Sequence, residues 1–347
     1  MEATPILLYR ADSGHSIGLG HIVRAKNICG ELSKKGIIPI IITCSPQNIV
    51  ENLHSLGFKV ITLSENTGHL NAIIETLRKT NATILINDIL DTDEEYSRQL
   101  KAQGIQLIHF DDLGQGRCYA DILIDANLPP TKQPLEETQL QLFGKDFMAI
   151  DSRLAPFHDC EKTIPNTAQK ITVSFGGSDP RGLSQWILDN NSELFTPFDI
   201  TVVVGNACKN TAEIAETCNR YGYTFIHNTD AMPELLFSSD LAIISGGITL
   251  YEAACAGTPS LVIPQVEHQY TIAKHFEHLG ITLCPFAHDE LKPRLFELAF
   301  RHLAYDKISR SHMSKRGKKE IDGKGIFRIC SAIETFITKR DIHYVQI

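Results

Sequence analysis

Several short runs of β-branched and aliphatic residues in this chain stop at glycine-rich turns that lead at once into a helical pattern. Lys170–Phe175 runs into Gly176-Gly177, and Leu241–Ile244 runs into Ser245-Gly246-Gly247. Ile6–Tyr9 leads through a loop with Gly18 and Gly20 into a helix predicted over 20–35. Ile22, Ile28, Cys29 and Leu32 mark its apolar face and Gly36 its stop. Apolar strands without polar alternation are buried on both faces, and strands separated by helices form right-handed β-α-β units. The chain is therefore predicted to be an α/β protein with parallel sheets.

The rhythm repeats at Ile37–Thr43, Lys59–Leu63, Thr83–Asn87, Ile105–Phe110 and Ile122–Ile124, and restarts with Lys170–Phe175, Ile200–Val204, Leu241–Ile244 and Ser260–Ile263. Helices are expected to close the chain after Asp289. Residues 126–168 interrupt it with Pro129, Pro130, Pro134, Pro156 and Pro165, and read as the interdomain region. A length of 347 residues suits two domains, set here at 1–150 and 151–347. Two such halves would place a cleft between them, with strand carboxyl ends toward it.

Charge and cysteine usage narrow the function. Asp and Glu outnumber Lys and Arg by 41 to 33, a formal charge of −8, which argues against a nucleic-acid partner. An anionic ligand would have to be held by backbone amides and helix dipoles. No apolar run has the roughly 20 residues of a membrane span, and the amino-terminal residues lack the pattern of a secretory signal. The nine cysteines include no C-x-x-C pair, and neither they nor the histidines have zinc-ligand spacing, so no metal is expected. A cytoplasmic location is the expectation.

Three segments carry the candidate chemistry. In the first, Arg10 to Arg24, Gly18 and Gly20 allow a ligand close to the backbone. His21 falls in the first turn of the helix, where the dipole disfavours its imidazolium form; a neutral imidazole there can take a proton from water or a hydroxyl. Asp12 and Arg10 could orient it. The competing reading is a dinucleotide-type turn with an incidental histidine, although the G-x-G-x-x-G spacing is absent. In the second, Ser174-Phe-Gly176-Gly177-Ser-Asp179-Pro180, Asp179 suits an N-cap and Pro180 the first helical position, and the exposed amides could bind phosphate. In the third, Ser245-Gly246-Gly247-Ile248-Thr249 opens a helix whose amino terminus suits a diphosphate, and Glu252 could accept both hydroxyls of a ribose. Each also reads as a strand–turn–helix without a ligand, with Glu252 as a solvated helix residue. Gln269 opens a later helix.

Several of these pieces together resemble the nucleotide-sugar hydrolases of pseudaminic acid biosynthesis and the related spore-coat-polysaccharide proteins. They are Gly18-x-Gly20-His21-x-x-Arg24, Asp111-Asp112-Leu, Ser174 to Asp179, the Ser245 to Pro264 block, Gln269 and Asp322-Gly-Lys-Gly325. The resemblance implies a GT-B architecture of two Rossmann-like domains, with parallel sheets facing a central cleft. It implies His21 as the base that activates water at the anomeric carbon, with the second domain holding uridine diphosphate. Gly246-Gly247 would face the phosphates and Glu252 the ribose. No metal or organic cofactor is implied, and the partner is a nucleotide sugar. The sequence departs from the family pattern where Asp-x-Tyr reads Asn87-Asp88-Ile89 and where Gly-Pro-x-Tyr reads Gly144-Lys-Asp-Phe147. These changes leave open the sugar and the acceptor, water or a second sugar. The oligomeric state is also left open.

Overall fold

The computed structural model describes residues 4–14, 19–63, 69–127, 129, 135 and 140–344, with side chains to residue 338. Gly18 and the prolines at 130 and 134 lie outside the described residues. The chain divides into two compact units, residues 1–149 with 324–347, and residues 150–323.

The first unit is built on a seven-stranded sheet. Its strands are β1 (Ile6–Ala11), β2 (Ile38–Thr43), β3 (Lys59–Thr62), β4 (Ile84–Asp88), β5 (Gln106–Phe110), β6 (Ile122–Asp125) and β7 (Leu140–Phe143). They run in the order β3-β2-β1-β4-β5-β6-β7, with every pairing parallel. The second unit has β8 (Lys170–Ser174), β9 (Asp199–Val204), β10 (Thr224–His227), β11 (Leu241–Ile244), β12 (Ser260–Val262) and β13 (Thr282–Leu283). Their order is β10-β9-β8-β11-β12-β13, again all parallel. Both sheets thus reverse direction of growth next to their first strand. In doubly wound sheets the strand ends at that switch point are where ligands bind.

Side-chain alternation assigns the two faces of the first sheet. Leu7, Tyr9, Ile86, Ile108 and Phe110 pack with Ile22, Ala25, Ile28, Cys29 and Leu32 of the helix Gly20–Lys34. Leu8, Ile42, Leu85 and Leu107 face the other way, toward Ile73, Leu77, Tyr96 and Leu100. Register places the strand ends side by side: Ala11 opposite Asp88, Asn87 opposite His109, and Phe110 opposite Ile124. Consecutive residues of β4 therefore deliver Asn87 and Asp88 to opposite faces of one sheet edge.

Three expectations change. The interval 126–168 is not a plain linker, because Leu140–Phe143 adds the edge strand β7 to the first sheet and Leu154–Asp159 is a helix of the second unit. The helix after β8 begins at Leu183, not at Pro180; Asp179 caps it from upstream by accepting from the amides of Leu183 at 2.9 Å and Ser184 at 2.8 Å. The carboxyl-terminal helix Gly325–Tyr344 belongs with the first unit, because Ile326, Ile329, Cys330, Ile333 and Ile337 join the core against the helix Gly20–Lys34. An apolar face is satisfied by whichever core has room for it, and chain order does not decide which.

Candidate functional site

The first unit gathers a buried polar cluster where β1, β4 and β5 end. Asp88, the last residue of β4, is its hub and is fully buried. Its carboxylate accepts from Tyr9 Oη at 2.8 Å, from Arg24 Nε at 2.8 Å and from Arg24 Nη2 at 2.5 Å. His21 Nδ1 lies 2.6 Å from Asp88 Oδ1. A carboxylate held by a guanidinium accepts, so Nδ1 carries a proton, and in the neutral ring the lone pair is then on Nε2. Burial alone would raise the Asp88 carboxyl; the Arg24 guanidinium and His21 overrule it and hold it far below the usual carboxylate range. His21 keeps 11% of its side chain exposed, where Asp88 has none.

Arg24 is the cation that makes this possible. One turn along the helix from His21, it bonds Asp88 with two nitrogens and Asp111 with a third, and its guanidinium lies 4.9 Å from the centre of the Phe110 ring. Asp111 follows β5 with φ of +49°, a left-handed conformation that few residues other than glycine adopt. Burial pushes its carboxyl up, Arg24 pulls it down, and Asp125 and Asp88 push it up again, leaving it above its ordinary value. Burial and the Asp88 charge likewise raise the Tyr9 phenol.

On the opposite face, Asn87 and His109 begin a second network. His109 Nδ1 lies 2.7 Å from Asp112 Oδ2, and its Nε2 lies 3.0 Å from Asn87 Nδ2. Tyr96 donates to Asn87 Oδ1 at 2.8 Å, which fixes the Asn87 amide as donor to the histidine. Asp112 also accepts from the amides of Thr92 and Gly114. Burial raises the Asp112 carboxyl, but His109, the Thr92 hydroxyl and the Gly114 amide bring it below its usual value. Arg10 lies on this face too, donating to His69 Nδ1 at 3.1 Å with its guanidinium 5.6 Å from the Tyr96 ring centre.

The expectation that Asp12 and Arg10 orient His21 is therefore corrected. Asp12 accepts from the Cys44 amide at 2.7 Å and sits 3.7 Å from Arg10 Nε, while the carboxylate on His21 is Asp88. Asp12 follows β1 and pairs with the end of β2; Asp88 pairs with the end of β1 on the face the helix covers. Arg24 is occupied by carboxylates. Tyr9, His109 and Tyr96 were not singled out from the sequence, and Asp88, Asn87 and Asp112 were named there only as positions of the resemblance, without a role. The signal available for Asp88 was a carboxylate at the end of a buried strand, the position at which such folds carry function.

The second unit places its glycine turns at the ends of β8 and β11. Gly176 has φ of +79°, and Ser174, Ser178 and Asp179 are buried. The helix Ile248–Ala256 starts from Gly247 with no side-chain cap, so its first amides and dipole are directed at whatever lies before it. Gly246 is required by packing: a Cβ there would sit 2.5 Å from the carbonyl oxygen of Gln269. Gln269 Oε1 accepts from the Gln265 amide at 3.0 Å, and Gln265 Nε2 donates to the Phe175 carbonyl at 2.9 Å, tying the ends of β8 and β12 together. Ser245, Gly246, Gly247, Gln269 and the Phe175 turn are thus brought together, with Ile248 and Thr249 in the helix turn. Glu252 is only 7% exposed, which removes its reading as a solvated helix residue. Among the described residues no cluster of His, Cys, Asp or Glu could hold a metal ion. No helix of those residues is long and apolar enough to cross a membrane.

The model of the glycosyltransferase family 28 C-terminal domain matches residues 171–324. The chain is 26% identical over 334 residues to the spore coat polysaccharide biosynthesis protein SpsG of Bacillus subtilis, covering 93% of this chain and 96% of that protein. It is 22% identical over 269 residues to the pseudaminic acid cytidylyltransferase and UDP-2,4-diacetamido-2,4,6-trideoxy-beta-L-altropyranose hydrolase of Helicobacter pylori. That match covers 76% of this chain and 45% of the Helicobacter protein. The crystal structure of MurG from Acinetobacter baumannii superimposes with a TM-score of 0.66 at 13% identity, over 95% of this chain and 99% of that one. The chain has the GT-B fold. The glycine turns and Glu252 lie inside the family 28 domain match, whereas His21, Arg24, Asp88 and Asp111 lie in the other unit of the GT-B chain.

Proposed function

We propose that this protein is a nucleotide-sugar hydrolase of surface-glycan or nonulosonic acid biosynthesis, located in the cytoplasm. Its substrate in this reading is a UDP-linked acetamido sugar of the 2,4-diacetamido-2,4,6-trideoxy class. The observation that carries the reading is the His21–Asp88 contact of 2.6 Å, which keeps the proton on Nδ1 and leaves Nε2 as a base. Water attacks the anomeric carbon and gives its proton to His21 Nε2. A carbon–oxygen bond forms, the bond from that carbon to the diphosphate oxygen breaks, and its electron pair leaves with UDP. The buried Asp88 stabilises the imidazolium as it forms. In the second unit, Ser174, Gly176, Gly177 and Asp179 with Ser245, Gly246, Gly247, Ile248 and Thr249 supply the turns and helix start that meet the diphosphate. Glu252 takes the ribose and Gln269 orders the turn. The domain boundary near residue 150 separates the sugar side from the nucleotide side.

The family 28 match favours a second reading, transfer of the sugar to an acceptor hydroxyl deprotonated by the same His21. Purified protein incubated with the UDP-sugar alone separates the two. Stoichiometric release of UDP and reducing sugar supports hydrolysis; release only on adding an acceptor supports transfer. His21→Asn is expected to abolish release while UDP binding by calorimetry persists. Full activity in His21→Asn would overturn both.

A further inference from the structure

Asp111 is expensive to keep. It is buried to 92%, its backbone is left-handed, and its Oδ1 has no hydrogen-bond partner among the described residues. A buried carboxylate oxygen without a donor destabilises a fold, as does left-handed backbone at a residue other than glycine. Asp111 also makes a second acid beside Asp88 with a single guanidinium, Arg24, between them. An arginine needs only one carboxylate to be neutralised, so packing and pairing of Arg24 do not explain the second.

We propose that Asp111 is a positioning residue for His21, acting through Arg24 and Asp88 by its negative charge. Without it, Arg24 and Asp88 form a neutral pair, and most of the Asp88 charge is spent on the guanidinium. With it, the trio carries a net charge of −1 next to the ring that receives the proton. The inference rests on the reading of His21 as the base. The charged and titratable groups around His21 are Arg24 on its own helix, Tyr9 on β1, Asp88 on β4, Asp111 after β5 and, beyond it, Asp125 on β6. His15, six positions before His21 in the sequence, lies outside the described residues.

Asp111→Asn isolates the charge. Asparagine tolerates the left-handed backbone and keeps an oxygen for Arg24, so only the charge is lost. Two measurements are made on the full chain. In proton–carbon NMR of the ligand-free protein, the His21 imidazole midpoint is expected to fall by about one pH unit in Asp111→Asn, corresponding to about tenfold less stabilisation of the charged ring. In turnover of the UDP-sugar, kcat is expected to fall about tenfold with KM and UDP affinity unchanged, and the acid limb of the rate profile to move to lower pH. An unchanged His21 midpoint in a variant with wild-type thermal stability would overturn the proposal, whatever the activity. Absence of turnover in the wild-type protein would defeat the hydrolase reading instead, and the NMR titration would still decide the role of Asp111.

Discussion

The first unit contains two histidine–aspartate pairs on opposite faces of one sheet edge, and they differ in what meets the second nitrogen. His21 and His109 both place Nδ1 within 2.7 Å of a carboxylate. His109 Nε2 is covered by the Asn87 amide, and the residue is fully buried. His21 begins a helix, is partly exposed and leaves its second nitrogen for a proton. The same hydrogen-bond chemistry thus makes a strut on one face and a candidate base on the other. Asn87 and Asp88 are adjacent, and strand alternation sends one to each. The asparagine at position 87, where the family it resembles has a carboxylate, acquires a physical sense here: an amide donates to a neutral imidazole, whereas a second carboxylate would draw a proton onto it.

The comparison can be broken first at His21. His21→Asn should lower turnover by about 10²–10⁴-fold, the usual scale for a general base, while changing unfolding free energy by less than about 1 kcal/mol. A rate loss matched by unfolding would make His21 a strut like His109. The reciprocal substitution, His109→Gln, should reduce stability by about 2–4 kcal/mol in denaturant titrations, because buried Asp112 or Asn87 loses its partner. Its kcat should stay within about threefold per folded molecule; a loss as large as that of His21→Asn would place both networks in the chemistry.

Asn87→Asp sharpens the difference through pH. With carboxylates on both nitrogens, His109 takes a proton in the folded protein and its folded midpoint rises. That added stability is complete below the unfolded histidine value of about 6.5 and is lost as pH climbs through the folded value. The variant should therefore lose stability relative to wild type as pH rises above about 6.5, by about 1–2 kcal/mol. Parallel curves for the two proteins would show that Asn87 does not set the His109 charge. The smallest effect is expected from Tyr9→Phe, which removes one donor from Asp88 and leaves Arg24 and His21 in place. Thermal unfolding should register about 1 kcal/mol and turnover less than about a threefold change. A larger rate effect would mean that Tyr9 takes part in holding the His21 ring.

Much of the architecture was legible because it is written in local pattern. Apolar runs marked ten of the thirteen strands among the described residues, three of them leading directly into glycine turns, and the helix expected over 20–35 is found at Gly20–Lys34. β7 and β10 were missed because each is a four-residue strand whose residues are mostly not fully buried, and β13 because it has two residues. In the second unit, the strand–Gly-Gly–helix order located the turns, while the burial of Glu252 could not be read from a single glutamate on a helix.

The sequence by itself determined that this is a parallel α/β chain with glycine turns at strand ends and a histidine in the first turn of a helix. Those properties depend on neighbours within one turn or one strand, where periodicity and backbone preference act. Only the tertiary structure decided that Asp88 rather than Asp12 meets His21, that Arg24 is shared between Asp88 and Asp111, and that the last helix returns to the first unit. These partners lie between 64 and about 300 residues apart. Strand order and register bring them together, and those are settled by the packing of whole elements rather than by any local run of residues.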